Sequence, residues 1–281
     1  MGASKQGDLT IMDAPAMEDT IDTIDTVEAL RDVRSEWDRL QGLQEKPDPN
    51  ADYDHFVTVA SHKPDVLKPC VLVARNSSRV HAIVGGRIER HNEDFKIGYK
   101  TLFSAPSRSL TVVSGGVLLD PRFTDREGLV QALRRGMKEQ GVDTLIFHSC
   151  DESSPFFSST IRGHPGAPLR FPLVLSSAPW RHWRMSIPAG MDEFYQARSK
   201  NHRKNLKNHV KRLKREYPGW EVRRFTMPEE GNGLFAAVET VASGSYQRGL
   251  GVGFVLDDLT RERFSLAARK GWLRSYVLYL D

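Results

Sequence analysis

The sequence lacks most of the features that mark metal-binding or disulfide-rich proteins. It has only two cysteines, Cys70 and Cys150, and each lies in or beside an apolar run. We interpret both as small buried side chains. Neither has a second cysteine or a histidine at zinc-ligand spacing, and the nine histidines form no paired arrangement. The sequence therefore predicts no metal site.

Long apolar runs are missing as well. No run approaches the roughly 18–20 residues that cross a bilayer, and the first residues show no signal-peptide pattern. We predict no membrane span and a cytoplasmic location. The hydrophobic content of 39% and the charged content of 27% are typical of a soluble globular protein. No G-x-S-x-G motif indicates a serine nucleophile, so the sequence does not identify a catalytic residue.

Acidic and basic residues are unevenly distributed. Residues 1–54 contain 14 acids and 5 bases, whereas the remainder contains 22 acids and 35 bases, so that the net charge of +4 combines −9 with +13. A basic region attracts anionic ligands through its electrostatic field. We therefore expect the partner of this chain to be an anionic substrate, either a small molecule or a carrier-linked group.

The most basic stretch is Arg198–Glu216, RSKNHRKNLKNHVKRLKRE, in which nine residues are Lys or Arg and the only acid is Glu216. Its apolar residues recur at spacings of four, three and four, which predicts a helix with one narrow stripe facing a core: Leu206, Val210, Leu213 and Tyr217. Repeated like charges at i,i+4 disfavour such a helix. The stretch is open to three interpretations: a solvated face, a nucleic-acid surface, or a site for an anionic substrate.

The detailed pattern favours the third interpretation. Ser199-Lys200, Arg203-Lys204-Asn205-Leu206-Lys207 and Lys211-Arg212-Leu213 resemble the signature that opens the second half of the acetyltransferases of bacterial cellulose and exopolysaccharide synthesis (the CelD/BcsL type). These proteins belong to the GNAT superfamily and are related to the Fem aminoacyltransferases. Ser245 to Gly249 resembles their Ser-Trp-Lys-Gly element, with Tyr246 for Trp and Gln247 for Lys.

The order of predicted elements agrees with this resemblance. After a disordered tail (1–20), a helix with a seam around Trp37 and a short helix near 54–61 precede strands at 70–74, 79–88, 96–103 and 109–119. A helix from Thr124–Asp125 to Gly141 and strands at 142–148 and 170–175 follow, with a short helix near 155–161 between them. This is an α+β fold with a mixed sheet, and it is the order of a GNAT half, which we place at 21–178.

A second half is predicted at 179–281. It has a strand at 183–187, the basic helix, a strand at 220–225, helices at 233–243 and 258–270, and a strand at 273–280. Two such halves in tandem are what the resemblance implies. Family members continue beyond the last strand, whereas this sequence stops at Asp281. We interpret the second half as C-terminally truncated and incomplete, with an unpaired strand edge that favours association.

The resemblance implies that acyl-CoA is the co-substrate and that an R/Q-x-x-G-x-G/A loop at a helix N-terminus binds its pyrophosphate. The loop at 120–126 has no glycine and begins with an acid, so we predict that the first half does not bind acyl-CoA. The second candidate matches the pattern literally and consists of Arg248, Gly249, Gly251 and Gly253. Its alternative interpretation is a flexible turn between helices.

Taken together, the residues and the resemblance predict an N-acyltransferase that modifies an amine or hydroxyl of a sugar or envelope precursor. The alternatives are a Fem-like transferase with aminoacyl-tRNA as its partner and a non-catalytic protein that binds polyanions. The predicted substrate-binding residues lie on the basic helix and in the element after the next helix: Lys200, Arg203, Lys204, Lys207 and Tyr246.

Overall fold

The computed structural model describes residues 20–76, 79–97, 100–142, 144–150, 154, 156–157, 186–250 and 253–280. The chain divides into two compact units, Met1–Pro172 and Leu173–Asp281. The predicted boundary at 178–179 lies outside the described residues, as do the strand predicted at 170–175 and most of the helix predicted at 155–161. In the part of the chain that is described, no helix is both long and apolar enough to cross a membrane.

The helices of the first unit form as their apolar spacing predicts. A 3₁₀ turn, Ala29–Val33, leads into α1 (Arg34–Gly42), and α2 (Tyr53–His62) begins at Asp52, whose side chain accepts the amide of His55. Trp37 is fully buried between them, where its ring contacts those of Tyr53 and Phe56. Its indole Nε1 donates to the Ala51 carbonyl at 2.7 Å. Trp37 is therefore the core residue that the sequence predicted.

These helices cover one face of a five-stranded sheet with the order β1-β2-β3-β4-β5. Neighbouring strands are antiparallel except β4 and β5, which are parallel because α3 (Arg126–Glu139) connects them. The sheet is thus mixed, and the predicted α+β class is confirmed. The strands are β1 (Thr20–Ile24), β2 (Val66–Arg75), β3 (Val80–Ile97), β4 (Lys100–Leu119) and β5 (Thr144–Phe147).

Two predictions for the first unit are wrong, and one strand was missed. The strand predicted at 96–103 is instead the end of a long β3–β4 hairpin, in which Ile97 pairs with Lys100. β1 was not predicted, because its residues resemble a polar repeat, yet it pairs with β2 along its whole length. Cys150 is exposed, although Cys70 is buried as expected and burial raises the pKa of the Cys70 thiol to about 11.

The close pairing of β2, β3 and β4 requires a glycine at position 86. A Cβ at Gly86 would lie 2.9 Å from the carbonyl oxygen of Cys70 and 2.9 Å from Cδ1 of Leu110. We expect Gly86→Ala to lower the free energy of unfolding by about 1–3 kcal/mol, because the strands must move apart. Gly42→Ala at the end of α1 is the control, since nothing lies within 4 Å of its Cβ. Urea unfolding should show a lower free energy of unfolding for Gly86→Ala and no decrease for Gly42→Ala.

The second unit is smaller and has one two-stranded sheet in its described part. β6 (Glu221–Phe225) and β7 (Ser275–Tyr279) are antiparallel, and Phe225, Leu234, Ala237 and Val277 form the core around them. Of the strand predicted at 183–187, residues 183–185 lie outside the described residues, and Ser186 and Ile187 are not in a strand. The helices are α4 (Met191–Gln196), which was not predicted, α5 (Lys200–Glu216), α6 (Gly231–Ser243), α7 (Tyr246–Gly249) and α8 (Asp258–Arg269).

Candidate functional site

The basic stretch forms α5, and its lysines lie in one row. The hydroxyl of Ser199 caps the helix by accepting the amide of His202 at 3.3 Å. Positions four and three apart lie on the same face of a helix, and five exposed lysines follow this spacing over about 21 Å of helix length. We call them the lysine row: Lys200, Lys204, Lys207, Lys211 and Lys214. In the described part of the chain, none of the five has an ion pair.

The only acid of α5 neutralises arginines outside the lysine row. Glu216 accepts hydrogen bonds from Nε of Arg212 at 2.9 and 3.1 Å and from Arg215 at 3.4 Å. The hydrogen bond from Arg212 and the charges of both arginines hold the pKa of Glu216 below its ordinary value. The lysine row therefore keeps its positive charge, as an anion-binding surface requires.

Arg203 has a structural contact in addition to its predicted role. Its Nη1 donates to the carbonyl oxygens of Arg198 at 2.9 Å and Tyr195 at 3.3 Å. These bonds hold the turn between α4 and α5, so that at least one guanidinium nitrogen is not free for a substrate. The ammonium of Lys207 lies 5.9 Å from the centre of the Tyr195 ring, a cation–π distance. Tyr195 thus contacts the central lysine of the row.

The apolar stripe of α5 does not enter a core as predicted. Leu206, Leu213 and Tyr217 are half-buried, Val210 is 44% exposed, and no residue of the helix is buried. The reason is that the core of this unit forms around the sheet of β6 and β7, from residues of other elements. The spacing predicted the helix and its apolar side correctly but not the depth of burial.

The residues of the predicted phosphate loop make contacts that differ from those expected of a phosphate-binding loop. Arg248 donates from Nη1 to Oε1 of Glu239 at 2.7 Å and to the Phe254 carbonyl at 3.4 Å. Gly249 ends the four-residue helix α7, Gly253 packs on the backbone of Arg248, and Gly251 lies outside the described residues. Tyr246 is 78% exposed. The side chain of Arg248 is thus bound to a carboxylate. The predicted loop does not lead directly into a helix, because the next helix, α8, begins only at Asp258.

Both candidate helix N-termini are occupied by the protein's own carboxylates. Asp257 accepts the amide of Thr260 at 2.8 Å at the start of α8, and Asp125 accepts the amide of Gly128 at 2.9 Å at the start of α3. A phosphate at either end would meet this carboxylate and compete for the same amide. The described residues at these two places therefore do not fit the pyrophosphate of acyl-CoA.

The first unit contains a buried polar cluster that the sequence analysis missed. Arg87 and Glu89 of β3 lie directly opposite Thr111 and Ser109 of β4, and all four are less than 9% exposed. Lys63, at the end of the α2 segment, donates to Oε2 of Glu89 at 2.7 Å, and Nε of Arg87 donates to Oε1 at 2.9 Å. The sequence signal was a charged pair at i,i+2 that follows the apolar part of a strand.

Two titratable groups of this cluster have shifted pKa values. Burial acts to raise the pKa of Glu89, but the hydrogen bond from Lys63 and the charge of Arg87 outweigh it, and the pKa lies below its ordinary value. His148, just after β5, donates its backbone amide to the Val112 carbonyl at 3.1 Å. Desolvation lowers the pKa of its imidazole, opposed by Glu89 and assisted by Arg87 and Lys63. The imidazole is therefore neutral at pH 7.

Comparisons with known proteins identify no family for the chain. No family model matches, and no curated protein matches in sequence. Among solved structures, the aminoglycoside acetyltransferase meta-AAC0020 from an uncultured soil metagenomic sample is 11% identical, with 60% of this chain and 97% of that chain covered, at a TM-score of 0.35.

Two further matches carry related names. Glucosamine-6-phosphate N-acetyltransferase from Arabidopsis thaliana is 15% identical, with 56% of this chain and 99% of that chain covered, at a TM-score of 0.30. Ribosomal-protein-alanine N-acetyltransferase from Brucella melitensis biovar Abortus 2308 is 10% identical, with 60% and 100% covered, at a TM-score of 0.32. All three scores are below 0.5, so these matches assign no activity to this chain.

Proposed function

We propose that this protein is an acyltransferase of the GNAT superfamily and that the lysine row binds the anionic part of its acceptor substrate or carrier. Acyl-CoA would be the donor and a sugar or envelope precursor the acceptor. The observation that carries the proposal is the row itself: five exposed lysines on one face of α5, with no ion pair among the described residues. Their positions include Lys200, Lys204 and Lys207 of the motif that resembles the acetyltransferase signature.

The first unit supports the acyltransferase part of the proposal. Its helices, antiparallel strands β2 to β4, helix α3 and parallel strand β5 follow the order that the resemblance implies. β5 pairs with β4 only from Ser109 to Val112, whereas β4 continues to Leu119 with no strand on that edge in the described part of the chain. Unpaired strand backbone can bind an extended ligand through main-chain hydrogen bonds.

Acyl transfer from a thioester needs little covalent chemistry from the protein. The acceptor amine or hydroxyl would form a bond to the thioester carbon, the bond from that carbon to sulfur would break, and CoA would leave as the thiol after taking up the acceptor's proton. The protein would position the two groups and stabilise the developing oxyanion. The role of α5 in this scheme is positioning, because lysines attract and hold an anionic acceptor without reacting. No described residue is assigned as the base, and Glu239 is paired with Arg248.

A second candidate function is favoured by the capped helices. Because Asp125 and Asp257 occupy the amides at which a pyrophosphate would bind, the chain could act without acyl-CoA, as a protein that binds polyanions. The Fem-like alternative, with aminoacyl-tRNA as the partner, also depends on the lysine row. All three functions predict anion binding by α5, but only the first predicts binding of acyl-CoA.

The lysine row is tested by removing three of its charges together. We expect Lys204→Gln, Lys207→Gln and Lys211→Gln in one protein to weaken tRNA binding in gel shifts at least tenfold at low salt. Each lost phosphate contact should also reduce the slope of log K against log salt by about 1. The matched control replaces Arg224, Arg263 and Arg269, which are exposed cations of the same unit outside α5, with glutamine. The control has the same net charge and should bind more tightly than the test variant.

Acyl-CoA binding separates the candidates. Calorimetric titration of the wild-type protein with acetyl-CoA should give saturable binding if it is an acyltransferase, and the triple variant should bind acetyl-CoA as the wild type does. Absence of binding by both proteins, with tRNA binding retained by the wild type, would favour the polyanion-binding or the Fem-like function over the acyltransferase. Equal tRNA binding by the test and control variants would remove α5 from the proposal.

A further inference from the structure

We propose that the buried polar cluster of the first unit is a binding site for the carboxylate group of a small ligand, with Arg87 as the principal contact. The cluster consists of Arg87 and Glu89 of β3, Ser109 and Thr111 of β4, and Lys63. It is formed entirely within the first unit and does not depend on the acyl transfer proposed above. Neither the resemblance nor the comparisons assign a role to these residues.

Arg87 is the residue that can take a further partner. It is only 7% exposed, and of its five N–H donors the one on Nε is used by Glu89. Within the described part of the chain, Nη1 and Nη2 have no hydrogen bond. The two terminal nitrogens of a guanidinium form a planar fork that matches the two oxygens of a carboxylate.

The charge balance indicates a monoanion. Lys63 and Arg87 each contribute one positive charge, and both oxygens of Glu89 are already bound to them. Among the described residues, the imidazole of His148 also lies near the cluster, and desolvation together with the charges of Arg87 and Lys63 lowers its pKa. In the residues that the structure describes, the charges of Lys63, Arg87 and Glu89 sum to +1, with Arg87 and Glu89 buried and Lys63 partly exposed, and a buried charge without a counter-charge is costly. A carboxylate balances this charge, whereas a phosphate dianion would exceed it.

The neighbouring hydroxyls add further hydrogen-bonding capacity. Thr111 lies directly opposite Arg87 in the pairing of β3 and β4, and Ser109 lies opposite Glu89. Their oxygens are 3.1 Å apart, and both residues are 1% exposed. Only one of the two hydroxyl protons is needed for the bond between them, so that the other can be donated to a bound carboxylate. The Phe56 ring lies 5.8 Å from the Arg87 guanidinium carbon and restricts its movement.

The test is a titration of the full-length protein with acetate and, separately, with inorganic phosphate, both at constant ionic strength. We expect acetate to shift the ¹⁵N NMR signal of the Arg87 guanidinium saturably and to raise the melting temperature. Arg87→Gln should weaken acetate binding at least tenfold, and Arg87→Lys should weaken it similarly, because lysine keeps the charge but lacks the fork. Arg90→Gln is the matched control, since Arg90 is an exposed arginine of the same strand, and it should bind acetate as the wild type does.

Thr111→Val keeps the shape of a buried side chain and removes only its hydroxyl. It should weaken acetate binding a few-fold, which provides a test even if the Arg87 variants fold poorly. The proposal is overturned if acetate produces no saturable shift of the Arg87 signal, if Arg87→Lys and Thr111→Val both bind as the wild type does, or if phosphate binds more tightly than acetate. None of these outcomes bears on the lysine row, so the two proposals can fail separately.

Discussion

Replacing Trp37 with alanine is expected to lower the free energy of unfolding of the first unit by about 3–5 kcal/mol. Trp37 is fully buried, and its ring occupies the space above Gly85, where a Cβ would lie 2.9 Å from the indole. The substitution therefore leaves a cavity between α1, α2 and the sheet. It also leaves the carbonyl of Ala51 without the hydrogen bond from Nε1.

Urea unfolding followed by far-UV circular dichroism measures the overall effect, and hydrogen exchange of the β2 amides Val71 and Val73 assigns it to the first unit. Leu43→Ala is the control, because Leu43 immediately follows α1 and is 45% exposed. Its expected cost is below about 1 kcal/mol. Equal losses for the two variants would show that Trp37 does not anchor the core.

Glu89→Gln is also expected to lower the free energy of unfolding by about 3–5 kcal/mol, but for an electrostatic reason. The variant has almost the same shape but leaves Lys63 and Arg87 facing each other without a negative charge between them. The side chain of Arg87 is 9% exposed, so solvent cannot compensate it fully. The control is Asp22→Asn, which removes an exposed ion pair with Arg75 in the same unit. Exposed ion pairs of this kind contribute about 0–1 kcal/mol to the free energy of unfolding.

The same residue predicts a dependence on pH. Because the pKa of Glu89 is lower in the folded protein than its ordinary value of 4.5, its contribution to stability is present above that pH and is lost as the pH falls through the folded pKa. The difference in unfolding free energy between wild type and Glu89→Gln should therefore decrease as the pH falls below about 4.5. A difference that stays constant down to the lowest pH at which the wild type folds would contradict this assignment.

Much of the fold was predictable because the signals are local. The predicted seam of Val27, Leu30, Val33, Trp37 and Leu40 has helical spacing; the last four side chains are buried, and Val27 is partly buried. Asp125 was recognisable as a helix start, because a short polar side chain accepts the free amides of a first turn. The lysine row also follows from spacing alone, since helix geometry determines which residues share a face.

The candidate sites were less predictable, because their properties depend on which strands and helices meet. In the sequence, Arg87 and Glu89 resemble any charged pair of a strand; only the pairing of β3 with β4 and the approach of Lys63 make them a buried cluster. Arg248 and its glycines matched a phosphate-binding pattern, but the distance of 2.7 Å to Glu239 was not visible in the spacing. Val210 belongs to a correct apolar stripe, yet it is 44% exposed.

The sequence by itself determined most of the helices, the charge of α5 and the core residue Trp37, because each depends on residues a few positions apart. The tertiary structure alone decided that β1 joins the sheet, that Arg248 meets a carboxylate and that Arg87 is buried beside Glu89 and Lys63. The physical reason is that burial and hydrogen-bond partners are properties of contacts between distant residues. A charged side chain becomes a candidate binding site only when such contacts remove it from water and leave some of its donors without a partner.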